Sequence, residues 1–368
     1  MKHLKKYLLQ MMILWSFLLY VCAGHLQAAS GLEVHFLNVG QGDATLIRCG
    51  THAMLIDAGG EDDTEPVLNY ILNKQNLTGL DYVIGTHPHE DHIGSLDEVI
   101  KAVEVGEVLL PDVTTNTNSF YEVLTSLEEK NMGITVPSVG EVYPLGDASF
   151  TVIAPNEDYK EDLNNWSIGV KVTYGDTSFL FTGDAEADAE ADIVDTGLEL
   201  QADVLKAGHH GSETSNSEKL LEAVHPSYAV ISCGVDNSYG HPHKEVLDRL
   251  EQHGIQIFRT DQQGTIVAYS DGDVVTWDHS IWEQAEGNQV WEEAGQISSY
   301  SEPGKAEEEP SIQNQQEVPV EQTVHITRTG EKYHAAGCRY LSKSDIPISL
   351  FDAKRQGYTP CSKCSPPG

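Results

Sequence analysis

The stretch THPHEDHIGS, residues 86–95, sets three imidazoles and two carboxylates within ten positions. His87 and His89 alternate, so an extended loop turns both rings to one side. Asp91 and His92 follow at the start of the helical pattern IGSLDEVI. Imidazole and carboxylate ligands without a thiolate suit Zn or Mn. Two neighbouring pairs of this kind can serve two neighbouring ions. The residues just before, LDYVIG, read as a buried strand, so the group stands at a strand's carboxyl end.

Two metals need further ligands, and the chain offers them downstream. SFLFTGDAE places Asp184 after another apolar strand, where a carboxylate can bridge two ions. ADVLKAGHHGSETSNS places His209 and His210 after a third strand, and NSYGHPHKEV places His241 and His243 just before a helical pattern. Repetition of ligand after strand is what a single site at one edge of a sheet sandwich would produce.

The elements that must position these residues run from residue 30 to residue 279. LEVHFLNV, ATLIRC, HAMLIDAGG, LDYVIGT, EVLLP, FTVIAP, GVKVTYG, TSFLFTG, ADVLKAG, YAVISCG, IQIFRT and GTIVAYS read as strands. EPVLNYILNKQN, GSLDEVIKAV, AEADAEADIVDTG, NSEKLLEAV and HKEVLDRLEQHG carry helical spacing, the third ended by Gly197. Strands with helices threaded between them predict an α/β fold whose sheets are covered by helices on their outer faces.

The flanks differ from this core. Residues 1–29 begin with lysines, continue through an apolar run over residues 7–23, and end in small residues at Ala28 and Ala29. That order predicts a secretory signal peptide, with a retained membrane anchor as the alternative, and hence a secreted or extracytoplasmic protein. Residues 280–322 are rich in Glu, Gln, Pro and Ser and poor in apolar side chains, which predicts a disordered linker. Residues 323–368 form a second, small module, and residues 321–368 hold seven Lys or Arg against four Asp or Glu. The whole chain of 368 residues carries a formal net charge of −35, so broad electrostatic binding of nucleic acid by its core is excluded. Six cysteines, one of them in the signal-like segment and three crowded into the tail, argue against a framework of disulfides.

The motifs FLNVGQGDATLI, LIDAGG, THPHEDHIGS, LFTGDAE and LKAGHHGS, in this order over residues 32–269, resemble the metallo-β-lactamase superfamily. More narrowly they resemble the hydrolase domain of ComEC/Rec2-type competence proteins. The resemblance implies a four-layer αβ/βα sandwich with a di-metal site between the sheets. It assigns His87 and His89 to one ion, Asp91 and His92 to the other, and Asp184 to the bridge. His209 is the expected last ligand, with His210 the alternative. Asp57 matches an aspartate that orients ligands, and Gln41 and Asp43 are expected to line the site's mouth. Many superfamily members carry a further histidine before the bridging aspartate, where this chain reads NNWSIGVKV; Asn165 or Ser167 is expected to face the metal there, or water to fill the position. His241 and His243 are candidates to contact metal or substrate. His253 is expected to be an ordinary surface residue.

The tail places His334 four residues before Cys338, as His-x-x-x-Cys, and Cys361 and Cys364 as Cys-x-x-Cys, the ligand set of a closed structural zinc. SLFDAKRQG between them reads as a short helix with Ser349 as its cap and Gly357 at its end. The module resembles the zinc-binding module of Ada-type DNA-repair proteins.

Together these features predict an exported metal-dependent hydrolase in which two ions acidify a shared water positioned by Asp91 and Asp184. A phosphodiester is the expected substrate, DNA included, as in ComEC-type enzymes. A lactonase or β-lactam hydrolase of the same fold is one alternative. A non-catalytic cell-surface binding protein is the other, and no stable protein partner is inferred.

Overall fold

The computed structural model describes residues 31–282 and, in the tail, residues 323–327, 332–335, 338–341, 346–349, 358–361 and 363–364. The signal-like residues 1–29 and the expected linker beyond residue 282 lie outside the described residues. So does the expected tail helix over residues 350–357; its expected cap, Ser349, ends a strand at Ile346–Ser349.

Fourteen strands build the larger unit: β1 (Leu32–Phe36), β2 (Thr45–Cys49), β3 (His52–Ile56), β4 (Gly79–Ile84), β5 (Glu104–Leu109), β6 (Val142–Leu145), β7 (Ala148–Val152), β8 (Val170–Tyr174), β9 (Thr177–Phe181), β10 (Val204–Lys206), β11 (Tyr228–Ile231), β12 (Gln256–Arg259), β13 (Ile266–Ser270) and β14 (Val275–Trp277). They form two seven-stranded sheets, ordered β14-β13-β1-β2-β3-β4-β5 and β12-β11-β10-β9-β8-β7-β6. Pairing is parallel from β3 through β5 and from β9 through β12. It is antiparallel elsewhere in both sheets.

Two-sided burial explains the strands' nearly unbroken apolar runs. In β3, Met54 and Ile56 enter the cluster between the sheets, while Ala53 and Leu55 pack beneath the helices outside. β9 repeats this, with Phe179 and Phe181 facing inward and Leu180 outward. The result is the four-layer αβ/βα sandwich, with one apolar cluster between the sheets and one under each helical layer. A Phe179→Ala truncation in the central layer would cost about 3–5 kcal/mol.

The helices hold to the sequence pattern with local departures. The segment EPVLNYILNKQN forms an α-helix only at Thr64–Leu68 and continues as a π-helix at Asn69–Lys74. Glu218–Val224 starts where Ser217 Oγ accepts the Leu220 amide, a side-chain cap. Ala187–Asp195 ends just before Gly197, whose φ of +73° suits a glycine.

The chain divides into two compact units, one ending at Gln289 and the other starting at Val290. In the second, Thr323–Ile326 pairs antiparallel with Ile346–Ser349, and Lys332–Tyr333 pairs parallel with Thr359–Pro360. Few side chains are buried there among the described residues, Val324, Tyr333, Leu341 and Cys361 being the apolar ones.

Candidate metal centre

Parallel strands deliver the ligand-type residues to one edge of the sandwich. Asp57 follows β3, and His87 and His89 follow β4. Asp91 and His92 sit in the short helix Glu90–Ile93. From the second sheet, Asp184 follows β9, and His209 and His210 follow β10. Two glycines let these turns approach. A Cβ on Gly42 would lie 2.6 Å from the Asp91 carbonyl oxygen, so the GQGD turn fits against the histidine loop only without a side chain. Gly183 has φ +56°, and a Cβ there would lie 2.8 Å from Ser167 Oγ. Asp57, His209 and His210 all adopt left-handed backbone without being glycine (φ +56°, +50° and +53°), a cost of order 1–3 kcal/mol each that the surrounding contacts must offset.

The side chains converge. His92 Nδ1 lies 2.8 Å from Asp57 Oδ2, and its Nε2 lies 3.3 Å from Asp184 Oδ1 without hydrogen-bond alignment. Asp57 also accepts the Thr86 amide at 2.7 Å and the Thr86 hydroxyl at 2.8 Å, so it holds the strand end and the ring together. His87 Nε2 stands 2.9 Å from His89 Nδ1 and 3.9 Å from Asp184 Oδ2. His210 Nε2 stands 3.3 Å from Asp91 Oδ2 and 3.7 Å from Asp184 Oδ2. Three groups result, His87–His92–Asp184, Asp91–His92–His210 and Asp43–Asp57–His92, each with donor atoms within 4.8 Å of one another.

Burial and charge set the protonation states. Burial lowers His87 and His89 below the usual imidazole range, which keeps them neutral and able to ligate. Burial would also lower His92, but the Asp184 and Asp57 carboxylates outweigh it and hold the ring well above that range. Burial pushes the Asp57 carboxyl up as well. The two groups face each other at 2.8 Å, and Asp184 faces the other nitrogen of the His92 ring at 3.3 Å. Asp184 and Asp91 both sit below the ordinary carboxylate range, since the facing His92 and His210 rings overcome desolvation.

The other expected residues separate into neighbours and supports. His210 is fully enclosed, and its Nδ1 donates to the Ser232 carbonyl at 3.1 Å, turning Nε2 to the cluster. His209 is partly exposed, with Nε2 at 3.6 Å from Asp184 Oδ2 and Nδ1 at 3.6 Å from Glu186 Oε1. Ser167 Oγ accepts the Asp184 amide and lies 3.3 Å from His87 Nδ1, so it braces two cluster residues. Asn165 turns elsewhere: its amide nitrogen donates to Asp162 and its oxygen accepts from the Glu186 amide. His243 holds its own loop through the Glu213 amide and the Tyr239 carbonyl. His241 Nδ1 lies 3.3 Å from Gln41 Nε2, and Gln41 Oε1 accepts the Gly234 amide, tying two rim loops together. Ordinary-surface His253 pairs only with Glu218, at 2.7 Å.

Lys206 was not legible from sequence as a site residue. Its ammonium is buried and donates to Asp43 Oδ2 at 2.8 Å and to the Ala207 carbonyl at 3.0 Å. Asp43 Oδ1 in turn lies 3.6 Å from His210 Nδ1. The one available signal was a lone lysine closing the otherwise apolar strand ADVLKAG, a position where charge is normally absent.

In the tail, the donor atoms of His334, Cys338, Cys361 and Cys364 lie within 4.8 Å of one another, and the three sulfurs form no disulfide. Cys364 Sγ lies 3.8 Å from His334 Nδ1 and accepts the Ala335 amide at 3.4 Å. Backbone amides of Lys363 and Cys364 lower the Cys361 thiol below its usual range, towards the thiolate that metals bind.

The chain is 33% identical over 251 residues to ComE operon protein 3 of Bacillus subtilis (strain 168), an overlap of 64% of this chain and 32% of that protein. It is 31% identical over 230 residues to Competence protein ComA of Neisseria gonorrhoeae, covering 62% and 31% respectively. The chain thus spans about a third of the length of the curated relatives it matches. Among solved structures, the metallo-beta-lactamase fold protein YhfI from Bacillus subtilis aligns over 65% of this chain and all of that one, at 12% identity and a TM-score of 0.47. The sandwich and the His/Asp groups are those of a metal-dependent hydrolase. The family model of the metallo-beta-lactamase superfamily matches residues 37–235, more than half of the sequence, and the chain belongs to that superfamily.

Proposed function

We propose that the protein is an extracytoplasmic metal-dependent phosphodiesterase, with DNA among its substrates. One observation carries the hydrolytic reading. His92 Nε2, Asp184 Oδ1 and His210 Nε2 are buried, converge in one cluster, and have no hydrogen-bond partner. Such groups are costly unless something satisfies them, and a divalent cation does so for both imidazole and carboxylate.

His87, His89 and Asp184 would hold one ion, and Asp91, His92 and His210 the other, with Asp184 reaching both. His210 takes the last position in place of His209, because its buried nitrogen faces Asp91 while His209 lies at the rim. The all-nitrogen-and-oxygen donor set suits Zn or Mn. Bound ions supply water acidic enough to ionise near neutrality and positive charge for a developing oxyanion. The chain supplies orientation. Asp57 fixes His92 through Nδ1, Ser167 and Thr86 fix His87 through Nδ1, and Asp91 and Asp184 accept the hydrogens of the attacking water.

The phosphodiester class is supported by the similarity to a competence protein, and by serine rather than histidine at residue 167 beside His87. The lysine-to-small-residue order of residues 1–30 supports export. In the tail, His334, Cys338, Cys361 and Cys364 are assigned a structural zinc.

The test is hydrolysis by metal-stripped and metal-restored protein, offered single-stranded DNA, duplex DNA, a small phosphodiester, a lactone and a β-lactam. Metal-dependent cleavage of phosphodiesters is expected. Cleavage of the lactone or β-lactam alone moves the assignment to the same-fold alternative. A core that takes up no metal returns it to a surface-binding protein.

A further inference from the structure

We propose that Tyr239 and His241 form a stacking platform for one unpaired nucleobase at the rim of the metal centre, so that the site selects single strands over duplex. The inference rests on the phosphodiesterase reading above and adds its substrate class.

A short ladder of rings runs outward from the buried cluster. His241 lies 6.2 Å from His210, centroid to centroid, with 22° between the planes, and 5.8 Å from His209. Tyr239 stacks on His241 at 5.5 Å and 21°. The gradient in exposure is steep: His210 is 2% exposed, His241 9% and Tyr239 65%. A large aromatic ring therefore stands in solvent, stacked on His241 and two ring spacings from a candidate metal ligand.

The loop that presents it is built rather than loose. Asn237 brackets His241, its Oδ1 accepting the His241 amide at 2.9 Å and its Nδ2 donating to the His241 carbonyl at 2.6 Å and the Gly234 carbonyl at 2.9 Å. His243 Nε2 bonds the Tyr239 carbonyl at 3.2 Å, and Gln41 reaches the same loop from the first sheet. These bonds hold backbone and His241, and leave the Tyr239 ring to make contact outward. Among the described residues no second ring lies against Tyr239.

Charge decides what kind of contact that is. With 57 acidic against 22 basic residues, the chain gives a polyanion little long-range attraction. Affinity for the stretch of strand held at the rim of the larger unit's site must then come from the metal centre and from interactions indifferent to charge. Base stacking on an aromatic ring is such an interaction, and every base offers a π face for it. A duplex hides those faces in its own stack, so only an unpaired base can use the platform.

The test compares a single-stranded oligonucleotide with one of the same length that is abasic at every position near the scissile bond. Full-length, metal-restored protein is used, and kcat/KM is read as a ratio between the two within each variant. Folding or metal-loading defects then cancel. The unaltered protein is expected to prefer the base-bearing strand roughly tenfold or more, with the preference lost in Tyr239→Ala and kept in Tyr239→Trp. In metal-stripped protein, a strand carrying 2-aminopurine should lose fluorescence on binding, and should keep it with Tyr239→Ala. Equal ratios in unaltered protein and Tyr239→Ala overturn the platform alone. Cleavage of neither strand by the unaltered protein overturns the phosphodiesterase reading and the platform with it.

Discussion

The chain gathers metal-type ligands in two places, and it gathers them differently. In the larger unit they come from residues 87 to 210, carried by strands of two sheets, and they are imidazoles and carboxylates. In the tail they come from residues 334 to 364, and three of the four are thiols. The larger unit has three apolar clusters on which its fold can rest. The tail buries few side chains, and a bound metal would offset that deficit. A site on a pre-folded scaffold can keep buried atoms unpaired for chemistry, as at His92, Asp184 and His210. A site that makes its own fold spends every ligand on closure.

The sharpest break of this contrast is Asp184→Asn. The side chain lies 3.3–3.9 Å from four imidazoles, and its loss removes the group common to both proposed ions. Hydrolysis should fall by more than the roughly 100-fold that loss of a mere supporting partner brings. Circular dichroism should stay native, because folding rests on the apolar clusters. Retained activity would remove the bridging role.

Chelation should separate the units next. Stripping metal from the whole protein is expected to collapse the tail's dispersed amide NMR signals while those of the larger unit persist, shifted only near the cluster. Collapse of both sets would make the larger site structural too and erase the distinction.

The sequence carried these two sites with unequal clarity. The tail was legible from spacing alone, since Cys-x-x-Cys and His-x-x-x-Cys need no knowledge of the fold. The clustering of the core's His and Asp residues was legible because THPHEDHIGS and Asp184 each follow an apolar strand, and both sheets were legible in strands such as HAMLI and TSFLF. The choice between His209 and His210 was not, because adjacent residues in extended or helical backbone diverge in ways only the local φ/ψ decides. Here both are left-handed, which sends one ring inward and one to the rim. β6 was missed because Pro144 argues against a strand, yet β6 is an edge strand, where proline is tolerated. The helix Asn118–Glu129 was missed because buried Ser119 and Ser126 interrupt its apolar stripe of Phe120, Val123 and Leu127.

Lys206→Met probes a support rather than a ligand. It leaves the Asp43 carboxylate buried without its partner, a destabilisation of about 3–5 kcal/mol. Through Asp43 and His210 it should also lower activity roughly 10- to 100-fold. The double change Lys206→Met with Asp43→Asn removes the stranded charge, so stability should largely return while activity does not. Recovery of both would show that the pair serves folding only.

The smallest expected effect lies in the tail. Cys361→Ser removes one of the four donor atoms that lie within 4.8 Å of one another, the set proposed to close a structural zinc site. No donor there is left over to hold a substrate oxygen, so the tail centre has no open position at which chemistry could occur. Its surplus of basic residues, seven against four over residues 321–368, can instead contact phosphates of a long strand. Turnover of a small phosphodiester should therefore be unchanged in Cys361→Ser, within about twofold on the scale of ordinary surface substitutions. Binding to long DNA should weaken and lose part of its salt dependence, because fewer counterions are released when the basic tail unfolds away from the strand. Measuring both on the same preparation separates affinity from chemistry. A large loss of turnover on the small substrate would place the thiol cluster within the reacting site, and the two centres would no longer divide into one that reacts and one that folds.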